Sequence, residues 1–383
     1  MTIFQQTLSN IIKFREGRVK SIPLGFPKLD SQVFMAQKQY HLIGGASGSG
    51  KSSLVDNIYI LNPYMWYRKT GVHEGTDLKI ILRSMERSKE LRYSKWICAK
   101  LYWDHRIIID VKTLNGFGFN RRNYPDDVFE KIIETKEFFE ELEDIVEVID
   151  GAENPTGIFS HLKDHALKEG KYYYFDEVGK RLCIDHGKVR AFEAPECPRC
   201  TKHEPIYVAD NPDKVVVFIV DHILSMKKER GFSDKQNLDK MSEYARIARD
   251  RFGYSPVMVS QLNRNITDTF RRVKTDLLPE DSDFAGSSNM YNDCDMAAIL
   301  FNPYKYGLDR VYGYPTSKFV DEKGRNRFRT LHILKSSYGI DNLVLGYGFL
   351  GENGLFSELP KATEMIEEHF INTRTPKHHA YYG

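Results

Sequence analysis

The chain has 383 residues, room for two average domains or one large α/β domain with insertions. Hydrophobic residues make up 41% and charged residues 28%, ordinary globular values, and the formal net charge of +2 excludes a polyelectrolyte: any nucleic-acid surface must come from local patches. No apolar run approaches bilayer length, and the N-terminal stretch MTIFQQTLSNIIKFREGR lacks a signal peptide's apolar block, which points to the cytoplasm (a bacterial host's, for a phage-encoded chain) and to no membrane partner.

In chain order, residues 2–18 read as an amphipathic helix, with Phe4, Leu8, Ile11 and Ile12 at helical spacing. Pro23, Gly25 and Pro27 punctuate a turn-rich stretch. A short strand over 40–43 runs into YHLIGGASGSGKSSLV, and the helix after it extends to about Gly71. Residues 78–82 (LKIIL) read as a buried strand, followed by the helix SKELRYSKWICAKLYW. Residues 127–144 predict one acidic amphipathic helix with a solvated face, 145–149 a third strand, and GIFSHLKDHALKEG a further helix. The rhythm breaks over 171–213, an insertion with three tyrosines in a row and three cysteines. VVVFIV at 215–220 is the clearest buried strand, ending in Asp221. MSEYARIARDRFG predicts a helix stopped by Gly253, and strands follow at 256–259, 296–300 and 331–334. The tail beyond 360 reads as helical, then polar. Alternating strands and helices imply a mostly parallel sheet covered on both faces.

Gly45, Gly50, Lys51 and Ser52 spell G-x-x-x-x-G-K-[ST] between a strand and a helix, the pattern of a phosphate loop. Residues Gly45, Ala46, Ser47, Gly48, Ser49, Gly50, Lys51, Ser52 and Ser53 would cradle ATP. Backbone amides would turn onto the phosphates, Lys51 would meet the β/γ oxygens and Ser52 would ligate Mg²⁺. Asp221, at the end of its apolar strand, is placed for the second Mg²⁺ contact. Glu86, just past the second strand, reads either as the base for an attacking water or as a helix N-terminal acid favoured by the dipole. Gln261 closes PVMVSQLNRN, where an amide can sense the γ-phosphate. The loop after it carries Arg264, Arg271, Arg272 and Lys274 against Asp268, and reads as a DNA-backbone track or a solvated basic loop.

In the insertion, Cys183 and His186, then Cys197 and Cys200, each have knuckle spacing. They read as a structural Zn²⁺ site, with His203 as an alternative fourth ligand, or as reduced thiols beside a surface histidine. Cys98 and Cys294 read as small buried residues. His222, directly after Asp221, is given no role.

Together these segments resemble the RecA-like motor domain of the DnaB-type replicative helicases. GFPKLD, SMERSKEL, VIDGAENPTGIFSHLK, VVVFIVDHILSM, MSEYARIARDRFGYSPVMVSQLNRN, FAGSSNMYNDCDMAAIL and LHILKSSYG fall in that family's order over roughly residues 1–350, the insertion apart. The resemblance implies a RecA-like P-loop NTPase core with ATP and Mg²⁺ between subunits of a hexameric ring. Single-stranded DNA would be held at the loops after Gln261 and near Gly286, and Glu86 would be the catalytic base. It also implies a linker helix over 1–20, core segments over 21–170 and 214–360, and a tail over 361–383. The motor begins almost at Met1, as in compact helicases of phages and mobile elements, so that a primase or loader would act as a separate partner. Lys335 aligns with the lysine of the family's K-x-R pair, but Ser337 stands where its arginine would be. Arg325, Arg327 and Arg329, just upstream, read as substitutes for that arginine or as a solvated hairpin. The function implied is an ATP-dependent helicase or translocase. The alternatives are a RecA-like DNA-dependent ATPase that does not unwind, and an ATP-gated oligomeric scaffold.

Overall fold

The computed structural model describes residues 3–15, 21–117, 125–173, 205–263, 277–286 and 288–375. Nine of its strands form one sheet. In chain order these are β1 (His41–Gly45), β2 (Leu78–Ser84), β3 (Val146–Asp150), β6 (Val215–Asp221), β7 (Ser255–Gln261), β8 (Met296–Phe301), β11 (Phe328–Ser336), β12 (Leu343–Leu350) and β13 (Leu355–Glu358). Their spatial order is β13-β12-β11-β8-β1-β7-β6-β2-β3. The six from β3 to β8 pair in parallel, while β11, β12 and β13 extend the sheet antiparallel beyond β8. Two short antiparallel ladders stand apart from it: β4 (Gly170–Tyr173) with β5 (Ile206–Ala209), and β9 (Arg310–Val311) with β10 (Tyr314–Pro315).

Strand β6 shows why the chain folds this way. All seven of its residues are buried, and β-branched and aromatic side chains fill its pleat. Val217 and Ile219 join one core layer, while Val216, Phe218 and Val220 join the other. The period of two thus sends alternate side chains to opposite helical layers. The first layer contains the helical run 51–71, which begins with α2 (Lys51–Asp56), together with α3 (Lys89–His105) and α5 (Lys136–Ile145). The second contains α6 (Pro155–Lys168) and α7 (Asp234–Phe252). Helix α7 starts at a capping box between Ser233 and Gln236 and stops at Gly253, whose φ of 78° is left-handed.

Several expectations need correction. The acidic helix over 127–144 is two helices, α4 (Asp126–Glu134) and α5, broken at Thr135 so that Phe138, Phe139 and Leu142 reach the core. β12 and β13 were not read from sequence, and β11 is longer than 331–334. The 171–213 segment is rooted on the β4–β5 ladder, whose Tyr172 and Tyr207 pack on the α6/α7 layer. Cys183, His186, Cys197, Cys200 and His203 lie outside the described residues. Among the described residues no group of three or more His, Cys, Asp or Glu could hold a metal ion, and no helix is long and apolar enough to cross a membrane. Cys98 and Cys294 are buried free thiols, as expected.

Phe218 is 1% exposed at the sheet centre, and truncation there leaves a cavity between two packed layers. Phe218→Ala should cost about 3–5 kcal/mol in urea unfolding. Phe129→Ala, on an exposed face of α4, should stay within about 0.5 kcal/mol.

Candidate functional site

The carboxyl ends of β1, β2, β6 and β7 converge on one cleft, the expected ligand position in an open parallel sheet. It encloses about 890 Å³, open to solvent, and its lining includes Ala46, Gly48, Gly50, Lys51, Ser52, Glu86, Arg87, Lys95, His222, Gln261 and Phe349. Lys51, Ser52, Glu86 and Gln261, read separately from the sequence, are therefore brought together.

The loop between β1 and α2 is shaped by its glycines and held from outside. Gly50 has φ of 97°, and a Cβ there would sit 2.9 Å from the Phe349 ring, so both conformation and space require glycine. Arg329 Nε donates to the Ser49 carbonyl at 2.8 Å, and Lys305 Nζ to that of Ser47 at 3.0 Å. Both carbonyls are thereby occupied, while the loop leads into the amide-bearing N-terminus of α2. Lys51 is buried; desolvation lowers its pKa, and Asp221 and Glu86 oppose that shift.

Asp221 is 3% exposed. Burial pushes its carboxyl up, and the charges of Arg92 and Lys51 more than offset this, leaving it below the ordinary range. Its Oδ2 accepts from Arg92 Nη1 at 2.7 Å, while Oδ1, buried, has no hydrogen-bond partner among the described residues. An orphaned carboxylate oxygen in a cleft lined by Ser52 fits a divalent cation, directly or through water. Asp56 binds the same Arg92; burial raises its pKa against the pull of that guanidinium.

Glu86 is solvent-facing, with 60% of its side chain exposed, and its Oε2 lies 3.3 Å from His222 Nε2. Burial, then the charge of Lys51, lower the His222 pKa and favour the neutral ring. Ser225 Oγ lies 3.3 Å from the same nitrogen. The Met85 N–H donates to the Asp221 carbonyl at 2.8 Å, tying the Glu86 segment to the end of β6. His222 is therefore part of the cleft. The sequence signal was its place directly after Asp221, which by itself does not tell which way the ring turns. Arg87, Arg92 and Lys95 were also missed; Lys95 Nζ donates to the carbonyls of Gly351 and Glu352.

Gln261 ends β7 opposite Gly45. Its carbonyl accepts from Ala285 N–H at 3.3 Å, and Asn263 N–H donates to Asp283 at 2.8 Å, so the segment carrying Gly286 is stitched to the end of β7. Arg264, Arg271, Arg272 and Lys274 lie outside the described residues. Lys335 Nζ donates to the carbonyls of Tyr291 and Asn292, both at 2.8 Å, at the end of α8 (Ser288–Asp293). Arg325, Arg327 and Arg329 do not form a solvated hairpin. Arg327 and Arg329 are buried; Arg325 and Arg327 pair with Asp321 and Glu352, and Arg329 is held under the phosphate loop, where burial lowers its pKa to about 10.

This architecture has known counterparts. The solved ATPase domain of one DnaB-like replicative helicase matches with a TM-score of 0.64 at 15% identity, over 94% of this chain and 100% of that one. A second DnaB-like replicative helicase, described with its interactions with primase, matches with a TM-score of 0.60 at 14% identity, over 94% of this chain and 67% of the other. No family model and no curated protein matches the sequence. The likeness is one of fold: the chain has the RecA-like fold of the DnaB-type helicase ATPase domains.

The Glu86–His222 contact makes a testable statement. His222→Leu should lower the kcat of ATP hydrolysis about tenfold or more with little change in KM, whereas His222→Gln, which keeps a polar group near the Nε2 position, should retain most of it. Steady-state kinetics of the purified variants check this.

Proposed function

We propose that this chain is an ATP-hydrolysing DNA motor of the DnaB type, coupling hydrolysis to movement on single-stranded DNA during replication in the cytoplasm. The observation that carries the proposal is the cleft, where a phosphate loop, a buried strand-end aspartate with an orphaned oxygen, a histidine-held glutamate and a strand-end glutamine meet on one sheet edge. The α2 N-terminus and Lys51 would hold the β/γ-phosphates. Ser52 and Asp221 would hold Mg²⁺, which supplies charge neutralisation of the phosphoryl oxygens when bound. Glu86, aligned by His222, would take the proton of the attacking water. Gln261 would report the γ-phosphate to the Gly286 segment through the backbone bonds at Ala285 and Asn263.

The test compares ATPase rates with and without single-stranded DNA, for wild type and Glu86→Gln. Strong stimulation by DNA, abolished in the variant, is expected; a low rate indifferent to DNA would overturn the motor reading in favour of an ATP-gated scaffold.

Assembly has its own support. Helix α1 (Ile3–Arg15) exposes Phe4 at 73% and Ile11 at 55%, an apolar stripe that a neighbouring subunit of a hexamer would cover. Phe4→Asp with Ile11→Asp should shift the particle mass in sedimentation toward the monomer, leaving the melting temperature of the core within a few degrees. An assembly unchanged by both substitutions would contradict the linker role.

A second reading is favoured by one observation. The three arginines upstream of Ser337 are committed within their own chain, and an arginine acting across an interface can contribute about 10³-fold or more to phosphoryl transfer. A DNA-dependent ATPase that does not unwind would follow from that loss. Strand displacement on a forked duplex separates the two.

A further inference from the structure

Arg92 lies on α3, just beyond Glu86, and is 3% exposed. Its Nη1 donates to Asp221 Oδ2 at 2.7 Å, and its Nε and Nη2 both donate to Asp56 Oδ1, at 3.0 and 2.7 Å. Asp56 is at the end of α2, behind the phosphate loop, and is 4% exposed. Ser84 Oγ, at the end of β2, lies 3.4 Å from Nη1. Charges from three elements thus meet beneath the cleft, and neither Arg92 nor Asp56 has a part in the mechanism above.

Stability is a weak reason for such a group. Desolvating three charges offsets most of their attraction, and apolar residues of the same volume often do as well or better. The geometry at Asp221 gives a stronger reason. The guanidinium occupies Oδ2 and fixes the carboxylate plane, which leaves Oδ1 aimed without a partner. Charge adds a second. A lone arginine would cancel Asp221 and make it a poor partner for a dication. Asp56 accepts two N–H groups of the same guanidinium on one oxygen, the arrangement of an ionised carboxylate. Two acids on one guanidinium leave the group with net negative charge.

We propose that Arg92 is a positioning residue for Asp221 and that Asp56, by sharing the guanidinium, keeps the charge of Asp221 available to Mg²⁺. The inference rests on the reading that the cleft holds Mg·nucleotide.

The test measures binding of a fluorescent ADP analogue to the full chain, in excess chelator and across a titration of free Mg²⁺. In Asp56→Asn the affinity in chelator should stay within about twofold of wild type, while the Mg²⁺ needed for half-maximal enhancement rises about tenfold, the scale of one charge-assisted hydrogen bond. Arg92→Lys, which keeps the charge with fewer directed donors, should show a smaller rise. The double variant Asp56→Asn with Arg92→Met removes the competing cation and should move the midpoint back toward wild type. It also keeps the test available if single changes at Arg92 do not fold. A midpoint within twofold of wild type in Asp56→Asn, or an equal loss of affinity with and without Mg²⁺, would overturn the proposal. A wild type that binds no nucleotide, or binds it without regard to Mg²⁺, would instead count against the reading of the cleft itself.

Discussion

The parallel register at the centre of the sheet is the constraint on which the rest depends. β1 runs between β7 and β8, with Gly45 opposite Gln261 on one side and Leu300 on the other. β2 places Ser84 opposite Asp221, and β6 places Asp221 opposite Val259. A slip of one residue in any of these pairings would turn a strand's side chains to the other face. The two helical layers forbid it, because β6 and β7 bury side chains on both faces. The apolar packing that holds the register therefore also sets the position of every polar group at the strand ends.

The antiparallel extension contributes directly to the phosphate loop. Arg329 comes from β11 and Phe349 from β12, and the ring stacks on Phe356 of β13 with centroids 4.4 Å apart. The Arg329 guanidinium lies 5.2 Å from the Phe349 ring centre while binding Ser49. Gly50 fits beneath that ring only because it has no side chain. A loop that must present its amides in one arrangement is braced by strands remote from it in sequence, and this accounts for a buried arginine without a carboxylate partner beside the loop.

What the sequence made legible follows from range. The phosphate loop, Asp221 and Gln261 are local signals: a residue type at the end of an apolar run, where strand geometry alone fixes its place. The central strands were legible for the same reason. The β12 stretch LVLGYGFL was not, since Gly346 and Gly348 interrupt its apolar pattern and its pairing with β11 comes from tertiary contacts. His222 and Arg92 were missed because their roles depend on which residue faces them, Glu86 in one case and Asp56 with Asp221 in the other. The KGRNRFR stretch shows the converse error. Its charge suggested solvent, but Asp321, Glu352 and the Ser49 carbonyl lie where the chain folds back.

The link from the cleft to the Gly286 segment has a physical form that suits a motor. Gln261 touches the cleft through its side chain and the neighbouring segment through its backbone carbonyl. Phe284 pairs with Leu262 across an isolated bridge, and both are buried in the second core layer with Ile299 and Met290. Interiors packed at crystal-like density transmit displacement rather than absorb it. A shift of Gln261 toward or away from a terminal phosphate must therefore either break the bonds at Ala285 and Asn263 or move the Gly286 segment with it. Breaking them would strand buried backbone groups at about 1–3 kcal/mol each, so concerted movement is the lower-energy course. The core that fixes the strand register thus also gives the strand end its leverage.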